Sequence, residues 1–265
     1  MLNLRWVIPK HLHPGSAYQI TNEKQQYMKQ VDGGPYRVLA VDDSPFILRM
    51  VENALETGGF DVTKAISGEE ALEKIKRHGL PHLAVVDINM PMGIDGFEFC
   101  QQVLEFSDLP IIMLTAINEE ETIISAIEQY AEDYVTKPFN AGELVARVRR
   151  VLRRVGDFAY TLDPLTQVDE HLQIDFAGQR AILDDEEVSL TPTETKLLYI
   201  LMRNAGRTVT SDFILRRLWP LESAYEDRLR VYVHRLRKKI EPNSTSPKYI
   251  ISQRGSGYTF MGGSK

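Results

Sequence analysis

The chain has 265 residues, 43% of them hydrophobic and 26% charged, a length and balance that set aside wholesale disorder and suit two cores better than one. No apolar stretch approaches the roughly 20 residues that cross a bilayer, the N-terminus lacks the charged-then-apolar pattern of a signal peptide, and Cys100, the single cysteine, excludes an internal disulfide or a multi-thiolate zinc site. The net charge of −6 is unevenly spread: residues 1–156 carry 16 basic and 22 acidic residues, 157–202 carry 2 and 10, and 203–265 carry 13 and 5. A cytoplasmic protein without a membrane partner is expected, its last stretch a candidate nucleic-acid surface.

Residues 1–35 show neither clear periodicity nor an interpretable motif and are expected to form an N-terminal extension. From Arg37, short β-branched apolar runs alternate with amphipathic stretches, the pattern of a parallel sheet covered by helices on both faces. Strands are predicted at Arg37 to Val41, Asp61 to Ile66, Leu83 to Val86, Ile111 to Leu114 and Tyr134 to Thr136, and the last helix at Ala141 to Val155. The fold class is therefore α/β, a doubly wound five-stranded parallel sheet over residues 36–155. Periodicity lapses through Gly156, Asp163 and Pro164, which marks residues 156–169 as a linker.

A second domain is expected over residues 170–262. His171 to Asp175 and Arg180 to Leu183 read as a small antiparallel sheet. In Thr191-Pro192-Thr193-Glu194 a capping hydroxyl, a proline at the first helical position and a glutamate two residues after it start a helix that runs to about Ala205, with Gly206 suited to its stop. Thr210 can cap a second helix through Trp219, and a third spans about Asp227 to Ile240. Tyr249 to Gln253 and Tyr258 to Met261 flank the turn Arg254-Gly255-Ser256-Gly257, as a β-hairpin requires.

Asp42 and Asp43 follow the first strand and Asp87 follows the third, so a parallel sheet brings all three to its carboxyl edge, where ligands bind in such folds. Crowded carboxylates need a cation, and hard oxygen donors without nearby His or Cys favour Mg²⁺. Thr115 and Lys137, after the fourth and fifth strands, add a hydroxyl and an ammonium that can hold a phosphoryl oxygen opposite the metal. In the third helix of the second domain, Leu229, Val233, Leu236 and Ile240 share one stripe, which leaves Val231, His234, Arg235 and Lys238, flanked by Arg230 and Arg237, on the opposite face. That face suits a DNA major groove.

Through Val41-Asp42-Asp43-Ser44, Val86-Asp87-Ile88-Asn89-Met90-Pro91, Leu114-Thr115-Ala116 and Asp133 to Phe139, residues 36–155 resemble the receiver domains of two-component response regulators, which have a flavodoxin-like fold. Residues 170–262 resemble the winged helix-turn-helix output domains of the OmpR/PhoB family, through Leu190 to Glu194, Leu218-Trp219, Val231 to Lys239 and Arg254 to Tyr258. The resemblance implies that Asp87 accepts a phosphoryl group from a sensor histidine kinase, and that Asp42, Asp43, Asp87 and the main-chain carbonyl of Asn89 organise Mg²⁺. It implies that Lys137 pairs with the phosphoryl group, that the bond to Pro138 is cis, and that Thr115 and Tyr134 form the switch. It further implies a homodimer on phosphorylation with the intersubunit pairs Asp133–Arg147 and Glu132–Arg150. On promoter DNA, Val231 and Arg235 are expected at base edges, Arg237 and Lys238 at phosphates and Arg254 in the minor groove, with Trp219 to Tyr225 facing RNA polymerase.

The chain departs from the family in a loop after Asp87 that is one residue longer than usual, in Ile123 where a basic residue is usual, and in Tyr130 where glycine is common. A rival within regulation is DNA binding without phosphorylation. Outside it stands a metal-dependent phosphatase with an aspartyl-phosphate intermediate, against which the adjacent acids 42 and 43, on a different strand from Asp87, argue.

Overall fold

The computed structural model describes residues 35–91, 93–116, 130–155, 160, 162–220, 222 and 224–262. The N-terminal extension up to residue 34, Ile123 and the linker residues 156–159 and 161 lie outside the described residues. In the first domain β1 (Arg37–Val41), α1 (Pro45–Thr57), β2 (Asp61–Ala65), α2 (Gly68–His78), β3 (Leu83–Asp87), α3 (Gly96–Phe106), β4 (Ile111–Ala116), β5 (Asp133–Lys137) and α4 (Ala141–Val155) follow in chain order. All strand pairs are parallel, in the order β2-β1-β3-β4-β5. β3 is buried along its whole length, which is why its sequence is a continuous apolar run rather than an alternation.

Short polar side chains start the helices. Ser44, Ser67 and Asp95 each accept a hydrogen bond from the amide three residues on, satisfying donors that the first turn leaves open. At the amino edge of the sheet His82 accepts the Arg37 amide at 2.9 Å, and burial, with the nearby Arg37 charge, holds its pKa down at about 3, so the ring stays neutral.

The second domain opens with a four-stranded antiparallel sheet, β6 (Thr166–Gln167), β7 (Leu172–Asp175), β8 (Arg180–Leu183) and β9 (Glu186–Ser189), of which the sequence pattern had suggested only the middle two strands. β6 falls inside the stretch read as linker; two residues are too few to show periodicity. α5 (Pro192–Arg203), β10 (Thr208–Thr210), α6 (Ser211–Leu218), α7 (Glu226–Ile240), β11 (Ile250–Gln253) and β12 (Gly257–Phe260) complete the domain. Thr191 and Glu194 form the capping box, each side chain accepting the other's amide, and α5 ends at Arg203 with Asn204 as its C-terminal cap, two residues before Gly206 takes its positive φ. β10 joins the hairpin as a third strand, in the order β10-β12-β11. No helix among the described residues is long and apolar enough to cross a membrane.

Candidate functional site

β1 and β3 end at the same edge because Val38 to Val41 pair in register with Leu83 to Val86, and this brings Asp42 beside Asp87. One oxygen from each of Asp42, Asp43 and Asp87 lies within 4.8 Å of the others. Asp42 and Asp87 are buried and Asp43 is exposed. Lys137, the last residue of β5, spans the two buried acids, its Nζ 2.8 Å from Asp42 Oδ2 and 2.8 Å from Asp87 Oδ1. Asp42 Oδ1 accepts the Ser44 amide at 2.9 Å, which fixes that carboxylate's rotation.

Burial pushes the Asp87 carboxyl above the ordinary carboxylate range; Lys137 pulls it back and Asp42 and Asp43 push it further up. Burial works against the Lys137 charge too, but the hydrogen bonds it donates to Asp42 and Asp87 outweigh that and raise its pKa. Three acids against one ammonium leave an excess of negative charge on oxygen donors alone, a set that fits a hard divalent cation. Thr115 is buried, Tyr134 is half exposed on the outer surface, and Asn89 is exposed in the loop two residues past Asp87. The Lys137–Pro138 peptide bond is cis, as the resemblance implied.

Two supports of this edge were not apparent from sequence. Glu69, in the first turn of α2, accepts the Ile94 amide at 2.6 Å and so holds the backbone at Ile94, between Asp87 and α3. Gly96 lies so close to the Asp87 main-chain carbonyl that a Cβ there would overlap it.

On the outer face of β5 and α4 the acids and arginines singled out for a dimer meet within one chain. Asp133 takes both Arg147, at 3.1 Å, and Arg150, at 2.5 Å, because these lie one helical turn apart facing the strand. Within the chain Glu132 takes Arg154 and Arg217. Tyr130 hydrogen-bonds Gln101 through its hydroxyl at 2.9 Å.

In α7, Leu229, Val233, Leu236 and Ile240 are buried as their spacing predicted, and Arg230, Val231, His234, Arg235 and Lys238 are exposed. Arg230 pairs with Glu226 and Asp227 in the first turn. Arg237 differs: it turns toward the hairpin and donates to the Ile250 carbonyl and to Ser252 Oγ. Arg254 is exposed at the hairpin turn. Trp219 packs against Tyr232 at a centroid distance of 5.3 Å, and Arg228 lies 4.2 Å above its ring, so the segment after α6 is tied to α7.

Residues 38–149 match the family model described as the response regulator receiver domain, and residues 185–260 match that of the C-terminal domain of transcriptional regulatory proteins. The chain is 38% identical over 232 residues to the probable transcriptional regulator ycf27 of Porphyridium aerugineum, covering 85% of this chain and 95% of that protein. It is 36% identical over 225 residues to the KDP operon transcriptional regulatory protein KdpE of Escherichia coli strain K12, covering 84% and 98%. Among solved structures, the response regulator DrrB, a Thermotoga maritima OmpR/PhoB homolog, aligns with 31% identity and a TM-score of 0.40 over 86% of this chain and 99% of that one.

Proposed function

Because this chain belongs to the OmpR/PhoB family of response regulators, which are phosphorylation-dependent, DNA-binding regulators of transcription, we propose that Asp87 is its phosphoacceptor and that phosphorylation drives dimerisation on promoter DNA. The observation that carries this reading is the Lys137 ammonium, 2.8 Å from both Asp42 and Asp87 with Asp43 alongside.

Asp87 supplies a carboxylate oxygen to the phosphorus of a kinase phosphohistidine; a P–O bond forms, the P–N bond breaks, and the electron pair leaves on the imidazole nitrogen. Asp42, Asp43, Asp87 and the Asn89 carbonyl would hold Mg²⁺, which supplies charge neutralisation for the transferring oxygens. Lys137 keeps its positive charge through its contacts with the acids and pairs with a phosphoryl oxygen once Asp87 is esterified. Thr115, at the end of β4, turns its hydroxyl to another oxygen, and Tyr134 moves inward into the space released. This biases an existing two-state equilibrium at the β5 and α4 surface, where Glu132, Asp133, Arg147 and Arg150 re-pair across a two-fold axis.

In the domain proposed for residues 170–262, following the linker 156–169, Val231 and Arg235 read base edges while Arg230, His234 and Lys238 line the groove. Arg254 enters the minor groove, and Arg237 sets the hairpin's angle as it nears the phosphates. The segment between α6 and α7 is the proposed contact for RNA polymerase.

The test is solution mass and promoter affinity for wild type and Asp87→Ala, each with and without a small phosphodonor and Mg²⁺. Dimerisation and tighter binding confined to phosphodonor-treated wild type are expected; identical behaviour of the two proteins removes Asp87 from this role.

A further inference from the structure

The chain leaves β3 at Ile88 and enters α3 at Gly96, whose amide donates to the Ile88 carbonyl at 3.3 Å, so the two ends of this loop meet. Inside it Met90 is buried in the core and Asn89 is exposed. Farther along, the backbone of Ile94 is held on both sides by the start of α2. The Gly68 amide donates to the Ile94 carbonyl at 3.3 Å, and the Ile94 amide donates to Glu69 Oε1 at 2.6 Å. These bonds run in opposite directions, so the loop cannot slide along α2 or lift from it without breaking one.

A glycine on each side lets the two segments come this close. A Cβ at Gly68 would lie 2.6 Å from Ile94 Cγ2 and 2.7 Å from the Ile94 carbonyl oxygen. Gly93 takes a φ of +77°, in the left-handed region that glycine favours, and a Cβ there would overlap Glu69 Oε1.

The helix itself does not call for this reach. Ser67 already caps α2 by accepting the Glu70 amide, and Glu70 turns back to accept the Ile66 amide at 2.7 Å while pairing with Lys74. Glu69 is the acid of that first turn that bonds across to the loop after Asp87. Its own amide, the Ile94 amide and the Ser67 hydroxyl hold its carboxyl below the ordinary range, so an ionised acceptor makes the bond.

We infer that Glu69 is a positioning residue for phosphoryl acceptance: by fixing Ile94 it sets the path of the loop that carries Asn89, and so the direction of the Asn89 carbonyl toward Asp42, Asp43 and Asp87. The inference deepens the phosphoacceptor reading above and rests on it. Without the Glu69 carboxylate, Ile94 keeps only its bond from Gly68, and the loop is held mainly at its neck and at Met90. The carbonyl then spends less time aimed at the acids. Groups that orient a metal ligand in this way commonly change affinity tenfold or more when removed.

The test compares the full wild-type chain with Glu69→Ala, Glu69→Gln and Glu73→Ala. Glu69 and Glu73 are both exposed on α2, one turn apart, so Glu73→Ala removes the same charge from the same helix. Glu69→Gln keeps an oxygen acceptor for the Ile94 amide and discards the charge. Hydrogen exchange of the Ile94 amide reads the clasp, calorimetry on the unphosphorylated chain reads Mg²⁺ affinity, and mass spectrometry reads phosphorylation by a small phosphodonor against Mg²⁺ concentration. Glu69→Ala is expected to speed exchange at Ile94 and to weaken Mg²⁺ binding about tenfold. The Mg²⁺ needed for the half-maximal rate should rise by the same factor, while the rate at saturating Mg²⁺ stays within about twofold of wild type, since the lost interaction serves binding. Damage to the fold would instead lower the saturating rate and the melting temperature. Glu69→Gln and Glu73→Ala should stay near wild type. Unchanged exchange at Ile94 in Glu69→Ala overturns the clasp, and faster exchange with unchanged Mg²⁺ affinity overturns its role in positioning. Equal weakening in all three variants assigns the effect to charge and overturns the inference as well. Wild type that takes up no Mg²⁺, or that is phosphorylated as fast after Asp87→Ala, overturns the phosphoacceptor reading and this inference together.

Discussion

Arg237 of α7 clamps Ile250 of β11, its Nε and Nη2 donating to one main-chain carbonyl at 3.0 and 2.6 Å while Nη2 also reaches Ser252 Oγ at 2.9 Å. Arg237 therefore ties α7 to the hairpin. Arg237→Ala is expected to lower stability by about 2 kcal/mol, since hydrogen bonds to a charged donor contribute at that scale, and to weaken DNA binding through the displaced hairpin. Lys238→Ala removes an exposed charge and should leave the melting temperature nearly unchanged. It should reduce the slope of log affinity against log salt by about 0.9, the contribution of one phosphate contact. Thermal melts and salt titrations on both variants separate the roles; equal stability losses would contradict the division.

At the carboxylate edge, Lys137→Ala leaves Asp42 and Asp87 buried together without their shared cation. Removing one partner of a buried ion pair costs about 3 kcal/mol or more, so in metal-free buffer the variant should melt well below wild type. Millimolar Mg²⁺ should recover more stability in the variant than in wild type, because the site then carries one more uncompensated negative charge. Melting curves with chelator and with Mg²⁺ check this. Equal responses in the two proteins would mean that the acids do not gather a cation.

The parallel sheet and its acidic edge were legible in sequence because both depend on local pattern: apolar runs announce strands, and Asp42, Asp87 and Lys137 each stand at the end of one. The stripe Leu229, Val233, Leu236 and Ile240 was legible for the same reason, a fixed helical period. What escaped was either too short or too distant. β6 has two residues and β10 three, below any periodicity. Arg203 donates to the Asp108 carbonyl, 95 positions away, with no motif to join the two. Arg237 could not be told from its neighbours as a groove-facing cation, since only the position of β11 decides which way it turns.

Asp169 sets a pH dependence on the second domain. Partial burial works against its charge, but Lys248 at 2.8 Å, the His171 and Leu172 amides at 2.9 and 3.0 Å, and the Tyr249 hydroxyl at 2.9 Å outweigh it and hold the pKa at about 2. A carboxyl whose folded pKa lies below its unfolded value stabilises the fold fully above the unfolded pKa, near 3.8, and loses that contribution as pH falls through the folded pKa. The contribution is on the order of 2 kcal/mol. Asp169→Asn should therefore lower neutral-pH stability by about that amount and flatten the decline between pH of about 4 and 2, measured by denaturant titration at a series of pH values. A variant whose acid decline matches wild type would show that other groups set it.

Gly96 tests how closely α3 must approach Asp87, the proposed phosphoacceptor. Asp95 caps this helix by accepting the Glu98 amide at 2.8 Å, and the Gly96 amide donates to the Ile88 carbonyl at 3.3 Å, so the helix start is tied at two points directly behind Asp87. A methyl group at position 96 would overlap the Asp87 carbonyl, a backbone atom that cannot rotate away as a side chain can. Relief requires α3 to retreat or β3 to bend at its last residue. Overpacking of this kind costs about 1–3 kcal/mol, and the displacement falls on Asp87 itself. Gly96→Ala is expected to lower the melting temperature and to slow phosphorylation by small phosphodonors, whereas Gly142→Ala, in the exposed first turn of α4 with only the Asn140 side chain near the added carbon, should change neither by much. Phosphorylation time courses followed by mass spectrometry, run beside thermal melts of both variants, measure the two effects separately; a Gly96→Ala protein that is destabilised yet phosphorylated at the wild-type rate would show that the strain is absorbed in α3 and never reaches Asp87.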